Sequence, residues 1–455
     1  MEMILEFLRD VLSQPALLIG IMSCVGLIAL KRPFHKIMTG TLKPILGYLV
    51  LAAGAGVIVS NLDPLGKMIE HEFHITGVVP NNEAIVAVAQ KVLGVETMSI
   101  LVVGLLMNLL IARFTKFKYV FLTGHHSLFM ACLMSAVLGT AGLSGIELIL
   151  VGGFLMGAWS AISPAIGQSY TSKVTDGDEI ALGHFGSLGY YLSAWVAKYV
   201  GKAEESTEDI EIPEKWGFLR DSTLSTALTM IVFYLIAAIA AGSEFVATLS
   251  GSMSPYLFAV MSAMNFAVGV AIVYSGVRMI LGDLIPAFQG IATKIIPNAI
   301  PAVDCAVFFT YAPTAVVLGF ISSFIGGIIG MLILGAVGGV LIIPGLVPHF
   351  FCGATAGIYG NATGGRRGAA VGAFLNGLAI TFLPALALPV LGQLGFQNTT
   401  FGDADFAVMG LVLGNAFEWI GMAGIYGVVV IAALVLIIPN FIKTKGKVIN
   451  YVEEE

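Results

Sequence analysis

Charge is what this chain lacks. Asp, Glu, Lys and Arg together make up 11% of its 455 residues, against about 25% in a soluble globular domain. The deficit runs along nearly the whole length, with a mean hydropathy of +0.94, so it does not mark one buried helix in a soluble core. The apolar runs are continuous and do not alternate, which excludes a transmembrane β-barrel. No basic stripe of the kind that tracks a phosphate backbone is present, which argues against nucleic acid as a partner. A Walker loop, a dinucleotide fingerprint and a nucleophile elbow are all missing. The acidic segment 174–179 lacks the spacing of a calcium loop. Cysteine is scarce too: Cys24, Cys132, Cys305 and Cys352 are dispersed in apolar segments. No two of them have metal-ligand spacing, so they read as buried, inert thiols. The first ten residues carry Glu2, Glu6, Arg9 and Asp10 and show no cleavable-signal pattern.

What is abundant is glycine, 55 residues, which suits close helix packing and broken helices in lipid. Apolar runs of about 20 residues mark candidate spans. They fall at 15–30, 40–62, 95–112, 119–138, 143–162, 222–241, 256–281, two between 306 and 360, 368–391 and 406–442. The expectation is an all-α polytopic membrane protein with about 11 transmembrane helices. Short basic turns lie at 31–36, 113–118, 366–367 and 443–447. Basic short loops mark the cytoplasmic side, and all four share that side if the N-terminus is outside and the C-terminus cytoplasmic. Spans one to five and six to ten then have opposite orientation. A polar, proline-containing stretch follows the second span of each half, at 77–94 and at 286–304. Each is expected to form a re-entrant hairpin. Inverted repeats whose broken helices meet near the midplane are the pattern of an alternating-access carrier.

An ionisable side chain inside lipid is costly and usually faces an internal cavity. That singles out His125 in Thr123-Gly124-His125-His126, inside the fourth span. His126 is its neighbour, turned about 100° away on a helix. Asp304 closes the second proline-broken stretch, where it is an acceptor for hydroxyl groups or a cation, a cap for the helix that follows, or both at once. Glu83, with Asn81 and Asn82 after Pro80, holds the matching place in the first half. His184 sits in Gly183-His184-Phe185-Gly186, where glycine allows close approach of a ligand. His349 follows Pro348 at a break in the ninth span. His71 and His74, at i, i+3, offer a metal face, although a solvated helix explains them more simply. Phe129, Phe185, Tyr190, Tyr191 and Tyr311 are available as aromatic faces for a sugar-like solute. No cofactor and no resident metal are expected.

In order along the chain, several runs resemble the ascorbate-type membrane component (IIC) of the bacterial phosphotransferase system (PTS). They are 122–125, 174–177 with Gly183-His184, 202–209, Asp304-Cys305-Ala306, 312–320 and 341–345. The resemblance covers about residues 15 to 440. It implies an elevator-type homodimer in the bacterial inner membrane. A V-shaped dimerisation domain would be built from 1–62 and 222–281. A mobile core would be built from 63–200 and 282–440, with an acidic cytoplasmic loop at 201–221 and a cytoplasmic tail at 441–455. The core would carry a small sugar or sugar acid, bound by His125, His184, Asp304, Glu83, Asn82, Phe129 and Phe185. A separate cytoplasmic EIIB, charged in turn by an EIIA, would phosphorylate it, so the phosphocysteine chemistry lies outside this chain. Phe129 and Phe185 stand where the ascorbate carriers are expected to have glutamine. L-Ascorbate, a pentose, a polyol and a related acid sugar therefore all stay open as substrates. The competing reading of the same residues is an H⁺- or Na⁺-coupled secondary carrier of a small polar solute. A membrane scaffold without transport is the third, against which the broken hairpins and intramembrane polar residues argue.

Overall fold

The computed structural model describes residues 10–11, 14–73, 78–80, 82–177, 179–210, 222–392 and 399–441. The fold is helical. Its first helices are α1 (Pro15–Ala29), α2 (Phe34–Phe73), α3 (Asn82–Phe114), α4 (Gly124–Thr140), α5 (Gly145–Thr175) and α6 (Ser187–Val200). The later ones are α7 (Ser222–Ala241), α8 (Ser243–Ser250), α9 (Pro255–Lys294), α10 (Pro313–Ala336), α11 (Leu346–Gly392), α12 (Ala404–Ile420) and α13 (Met422–Phe441). Five very short strands stand between them: β1 (Val79–Pro80), β2 (Tyr119–Phe121), β3 (Ala181–Leu182), β4 (Ile300–Val303) and β5 (Thr399–Thr400). Among the described residues, seven helices are long and apolar enough to cross a membrane. An eighth results if α7 and α8, bent by 117° at Gly242, form one broken span. The difference from eleven has identifiable sources. Helices α1 and α4, at 15 and 17 residues, are shorter than a bilayer crossing. Helix α11 is two helices joined across non-helical backbone at Gly364 and Gly365, the place of the expected basic turn.

Several boundaries differ from the sequence expectation. Helix α2 runs for 40 residues through Pro44 and Pro64, so it continues past the expected span end at 62 as far as Phe73. At about 1.5 Å per residue it is about 60 Å long, about twice the hydrocarbon thickness. Helix α9 likewise continues through Pro286 to Lys294, and α5 through Pro164 to Thr175. Prolines are tolerated inside membrane helices because neighbours re-satisfy the freed carbonyls. The expected eleventh span is broken at Gly421, whose φ of 61° is a conformation that a residue with a Cβ adopts only at a cost.

The helices gather in two groups. Helix α9 packs along α2 and also against α1 and α7, whereas α11 packs against α10 and α6, and α3 against α4 and α5. The α2–α9 seam brings backbone against backbone: a Cβ added to Gly276 would stand 2.5 Å from Leu51 N, and one on Gly54 would stand 2.8 Å from Gly269 O. Small residues permit this approach, from which close-packed lipid-embedded helices gain dispersion energy.

The strands tie the halves of the chain together. β4, which follows α9, is the central strand of a three-stranded parallel sheet with β2 and β3 on its flanks. Its partners come from the first half of the chain. In the mirror arrangement β1, which follows α2, pairs in parallel with β5, and Val78 also bridges Ile342. Those partners come from the second half. The sheet around β4 is closed by backbone bonds from Leu122 N to Ala302 O (2.9 Å) and from Gly183 N to Val303 O (2.7 Å).

Candidate functional site

Each strand delivers a polar side chain just beyond its C-terminal end. β4 is followed by Asp304, β3 by Gly183-His184, and β5 by Phe401-Gly402-Asp403. β1 is followed closely by Asn82, and β2 by the start of α4 with His125 and His126. Strand ends fix these residues more firmly than loops would, because the strand hydrogen bonds hold the backbone on both sides.

His125 Nε2 stands 3.5 Å from Asp304 Oδ2, and the Tyr48 hydroxyl is 3.3 Å from His125 Nδ1. The two contacts suit a ring with its proton on Nε2, accepting from Tyr48 at Nδ1. Asp304 also caps the 3-10 helix Cys305–Thr310, its Oδ1 accepting from Ala306 N at 3.2 Å. Its two carboxylate oxygens thus serve the cap and the imidazole at once.

His184 is buried. Its Nδ1 accepts from Gly186 N at 3.1 Å and pairs with the Tyr190 hydroxyl at 2.9 Å. A backbone N–H can only donate, so the neutral ring carries its proton on Nε2. His126 is fixed in the same way: Phe185 N donates to its Nδ1 at 3.3 Å. The two rings lie close together but tilted by 45°, with centroids 3.8 Å apart. His184 Nδ1 is also 3.8 Å from Asp403 Oδ1, but with both atoms accepting, that approach is no hydrogen bond.

Asp403, 5% exposed, accepts from Asn82 Nδ2 at 2.6 Å and from the Cys352 thiol at 3.0 Å. The Asn82 carbonyl in turn accepts from Gly402 N at 2.9 Å. Asp405, two residues on, is fully buried and bonded throughout: it accepts from Ser187 Oγ, Leu188 N and Trp159 Nε1 at 2.7, 2.9 and 3.1 Å. It caps α6 and holds α5 against it.

These groups line a cavity of about 1470 Å³. Asn82, His125, His126, Phe129, His184, Asp304, Cys305, Cys352 and Asp403 line its polar end. Leu51, Leu62, Phe324, Met331 and Phe351 are among its apolar walls, and Asp63, Lys67 and Glu70 lie toward one end of it. The volume exceeds the 300–1,000 Å³ usual for a small-molecule site, so a small polar solute would fit with room for water.

The structure brings together five of the residues singled out in the sequence: His125, His184, Asp304, Asn82 and Phe129. Phe185 is placed elsewhere: it is fully buried, stacked on Phe121 at 4.6 Å between centroids, and off the cavity lining. Glu83 falls in the first turn of α3, and its side chain lies outside the described set. Tyr190 and Tyr191 are buried off the lining, and Tyr311 is exposed away from it. His349 is buried against Ser323 Oγ at 2.9 Å and does not line the cavity. His71 stacks on Phe245, and His74 lies outside the described residues. Asp403 and Asp405 escaped sequence reasoning, which left 392–405 between the last two expected spans. A signal for Asp403 was present: Leu-Gly-His at 182–184 is echoed by Phe-Gly-Asp at 401–403.

Two groups could in principle hold a metal: His126, His184 and Asp403, and His184, Asp304 and Cys305, with ligand atoms within 4.8 Å of one another in each. The hydrogen bonds argue against it. A ligating histidine ordinarily donates its other N–H to an acceptor, whereas Nδ1 of His126 and of His184 receives a backbone N–H. The arrangement suits a hydrogen-bonding solute: imidazole N–H donors beside carboxylate acceptors, with an aromatic edge from Phe129.

Comparison with known proteins agrees with this chemistry. The family model EIIC-GAT, described as the PTS system sugar-specific permease component, matches residues 10–405. Among curated proteins, the chain is similar to the ascorbate-specific PTS system EIIC component of Mycoplasma pneumoniae, at 26% identity over 416 residues. The match covers 78% of this chain, which spans 62% of that relative's length.

Proposed function

Because the chain belongs to the family of sugar-specific permease components of the phosphotransferase system, we propose that it carries a small sugar, L-ascorbate or a related compound, across the bacterial inner membrane. A separate cytoplasmic EIIB, charged by an EIIA, then phosphorylates the sugar. The observation that carries the reading is the cavity floor. There Asp304 and His184, from one strand group, and Asn82 and Asp403, from the other, present donors and acceptors side by side.

The mechanism we infer is an elevator. The packing supports a scaffold of α1, α2, α7 and α9 and a mobile core of α3–α6 and α10–α13. The expected domain limits at 62 and 281 fall inside α2 and α9, so they move to the ends of those helices. The Tyr48–His125 contact would then cross the sliding interface. The mirrored strand groups, each with a central strand from one half clamped by the other half, support an inverted repeat. Eleven spans, two re-entrant hairpins and a homodimer complete the proposal.

Orientation follows from the turns. Lys116 N donates to Asn440 Oδ1 at 2.9 Å, which sets the basic turn at 113–118 beside the end of α13. Lys118 caps α3 through Ala112 O and Arg113 O; burial, and then Arg113, lower its pKa from the ordinary value. Arg366 N donates to Glu205 O at 2.8 Å, joining the acidic loop to the turn at 364–367. These contacts support a shared cytoplasmic side. The cavity runs instead to Asp63, Lys67 and Glu70, about 45–55 Å along α2 from the basic turn at 31–36. It therefore opens away from the cytoplasm in this conformation.

The test is uptake of labelled L-ascorbate, xylitol and D-xylose into vesicles carrying the purified protein. Uptake that requires an internal phosphorylating EIIB supports the reading. Uptake driven by an H⁺ or Na⁺ gradient without a phosphoryl donor would establish the secondary-carrier reading instead.

A further inference from the structure

We propose that Asp403 and His184 form a second hydroxyl-binding pair in the cavity. Beside the His125–Asp304 pair, it would read two neighbouring hydroxyl groups of the transported solute. This rests on the sugar-permease reading and names a residue and a chemistry within it.

The argument starts from an unfilled acceptor. An ionised carboxylate has about four lone-pair sites, and a buried charge is costly unless those sites are occupied. Asp405 meets that condition with three strong donors. Asp403, 5% exposed on the cavity wall, does not. Among the described residues, Asp403 Oδ2 has the Asn82 amide, and Asp403 Oδ1 has the Cys352 thiol alone. A thiol is a weak donor. His184 Nδ1, 3.8 Å from Asp403 Oδ1, has no hydrogen to offer, because it accepts from Gly186 N.

The second half of the argument is an available donor. With Nδ1 accepting, the His184 proton sits on Nε2, for which no protein acceptor is seen among the described residues. Both residues line the cavity. An underfilled acceptor beside an available donor is the complement of a vicinal diol: one hydroxyl donates to Asp403 and its neighbour accepts from His184 Nε2–H. The equivalent pair, Asp304 with His125, is closed upon itself at 3.5 Å. The chain places His184 and Asp403 at matching points, two residues beyond β3 and three beyond β5, so each strand group contributes one half of the new pair. Asn82 clamps the carboxylate by bonding both Asp403 Oδ2 and Gly402 N.

The experiment is calorimetric titration of the purified full-length protein with L-ascorbate, xylitol and D-xylose. It is followed by the single-deoxy analogues of whichever of the three binds tightest. Asp403→Asn keeps the shape and the contact with Asn82 but loses the charge. It is expected to weaken binding about 10- to 100-fold, the scale of a charge-assisted hydrogen bond. Removing one particular hydroxyl from the probe should weaken wild-type binding by a similar factor and leave the variant nearly unchanged. A structural role would not produce that coupling, because it would weaken all analogues alike. Asp403→Glu keeps the charge, displaces the carboxylate by one methylene and carries the same expectation, which serves if Asp403→Asn does not fold. Wild-type affinity in either folded variant, or equal weakening across every analogue, overturns the assignment of Asp403 while leaving the permease reading in place. Absence of wild-type binding to all three probes overturns the sugar reading and this proposal with it.

Discussion

Asp304 tests whether the cavity floor binds solute or only ends a helix. Its Oδ1 caps the 3-10 helix Cys305–Thr310 through Ala306 N at 3.2 Å, and its Oδ2 faces His125 Nε2 at 3.5 Å. Asp304→Asn leaves a side chain that caps about as well as aspartate, so the fold should keep its stability. It removes the negative charge from the cavity floor. A hydrogen bond to a charged group contributes about 1.5–3 kcal/mol, so sugar affinity should fall about 10- to 100-fold. Asp304→Ala loses the cap as well, at a further cost in stability of about 1 kcal/mol. The measurements are calorimetric affinity for the tightest-binding probe and the midpoint of thermal unfolding in detergent, both at one pH. The expected pattern is equal loss of affinity in the two variants with a lowered midpoint only in Asp304→Ala. Unchanged affinity in Asp304→Asn, with destabilisation confined to the alanine variant, would show that Asp304 is a cap alone and refute the binding role.

Three further outcomes follow from the geometry. Tyr48→Phe removes the contact with His125 at 3.3 Å, worth about 0.5–1.5 kcal/mol; if that contact crosses a sliding interface, the balance between outward- and inward-open states should shift about 2- to 12-fold, read by single-molecule distances between labelled scaffold and core, with little change in unfolding midpoint. A cysteine placed at Lys67, half-exposed at the far end of the cavity from the basic turns, should react with a membrane-impermeant thiol reagent from outside intact cells, and reaction only from the cytoplasmic side would reverse the orientation. Gly276→Ala puts a methyl 2.5 Å from Leu51 N, where backbone must yield; overpacking of this kind costs about 1–3 kcal/mol, visible as a lowered unfolding midpoint, and an unchanged midpoint would show that the α2–α9 seam is looser than its geometry states.

Much of the architecture was legible in the chain because lipid imposes a coarse rule on composition. A run of about 20 apolar residues without charge has few fates, so the class, most of the spans and the kink at Gly364-Gly365 could be read directly. His125, His184 and Asp304 were legible for a related reason: polar groups at glycine- and proline-broken points of an apolar chain are expensive unless they are used. The helix ends were less legible. Pro64, Pro164 and Pro286 look like breaks, yet α2, α5 and α9 run through them, because packing against neighbours outweighs the local preference.

The chain by itself therefore determined that this is a polytopic helical membrane protein with a few costly polar residues inside. Only the tertiary structure decided which of those residues meet. Strands of two to four residues show no periodicity, and their partners lie far away: Asn82 reaches Asp403 across 321 positions. Asp403 and Asp405 stand two residues apart, yet one lines the cavity and the other is consumed in capping α6. Nor could the pattern tell that Phe129 faces the cavity while Phe185 packs behind it on Phe121. Direction at a strand end depends on which neighbour closes the backbone hydrogen bonds, and that neighbour comes from the other half of the molecule.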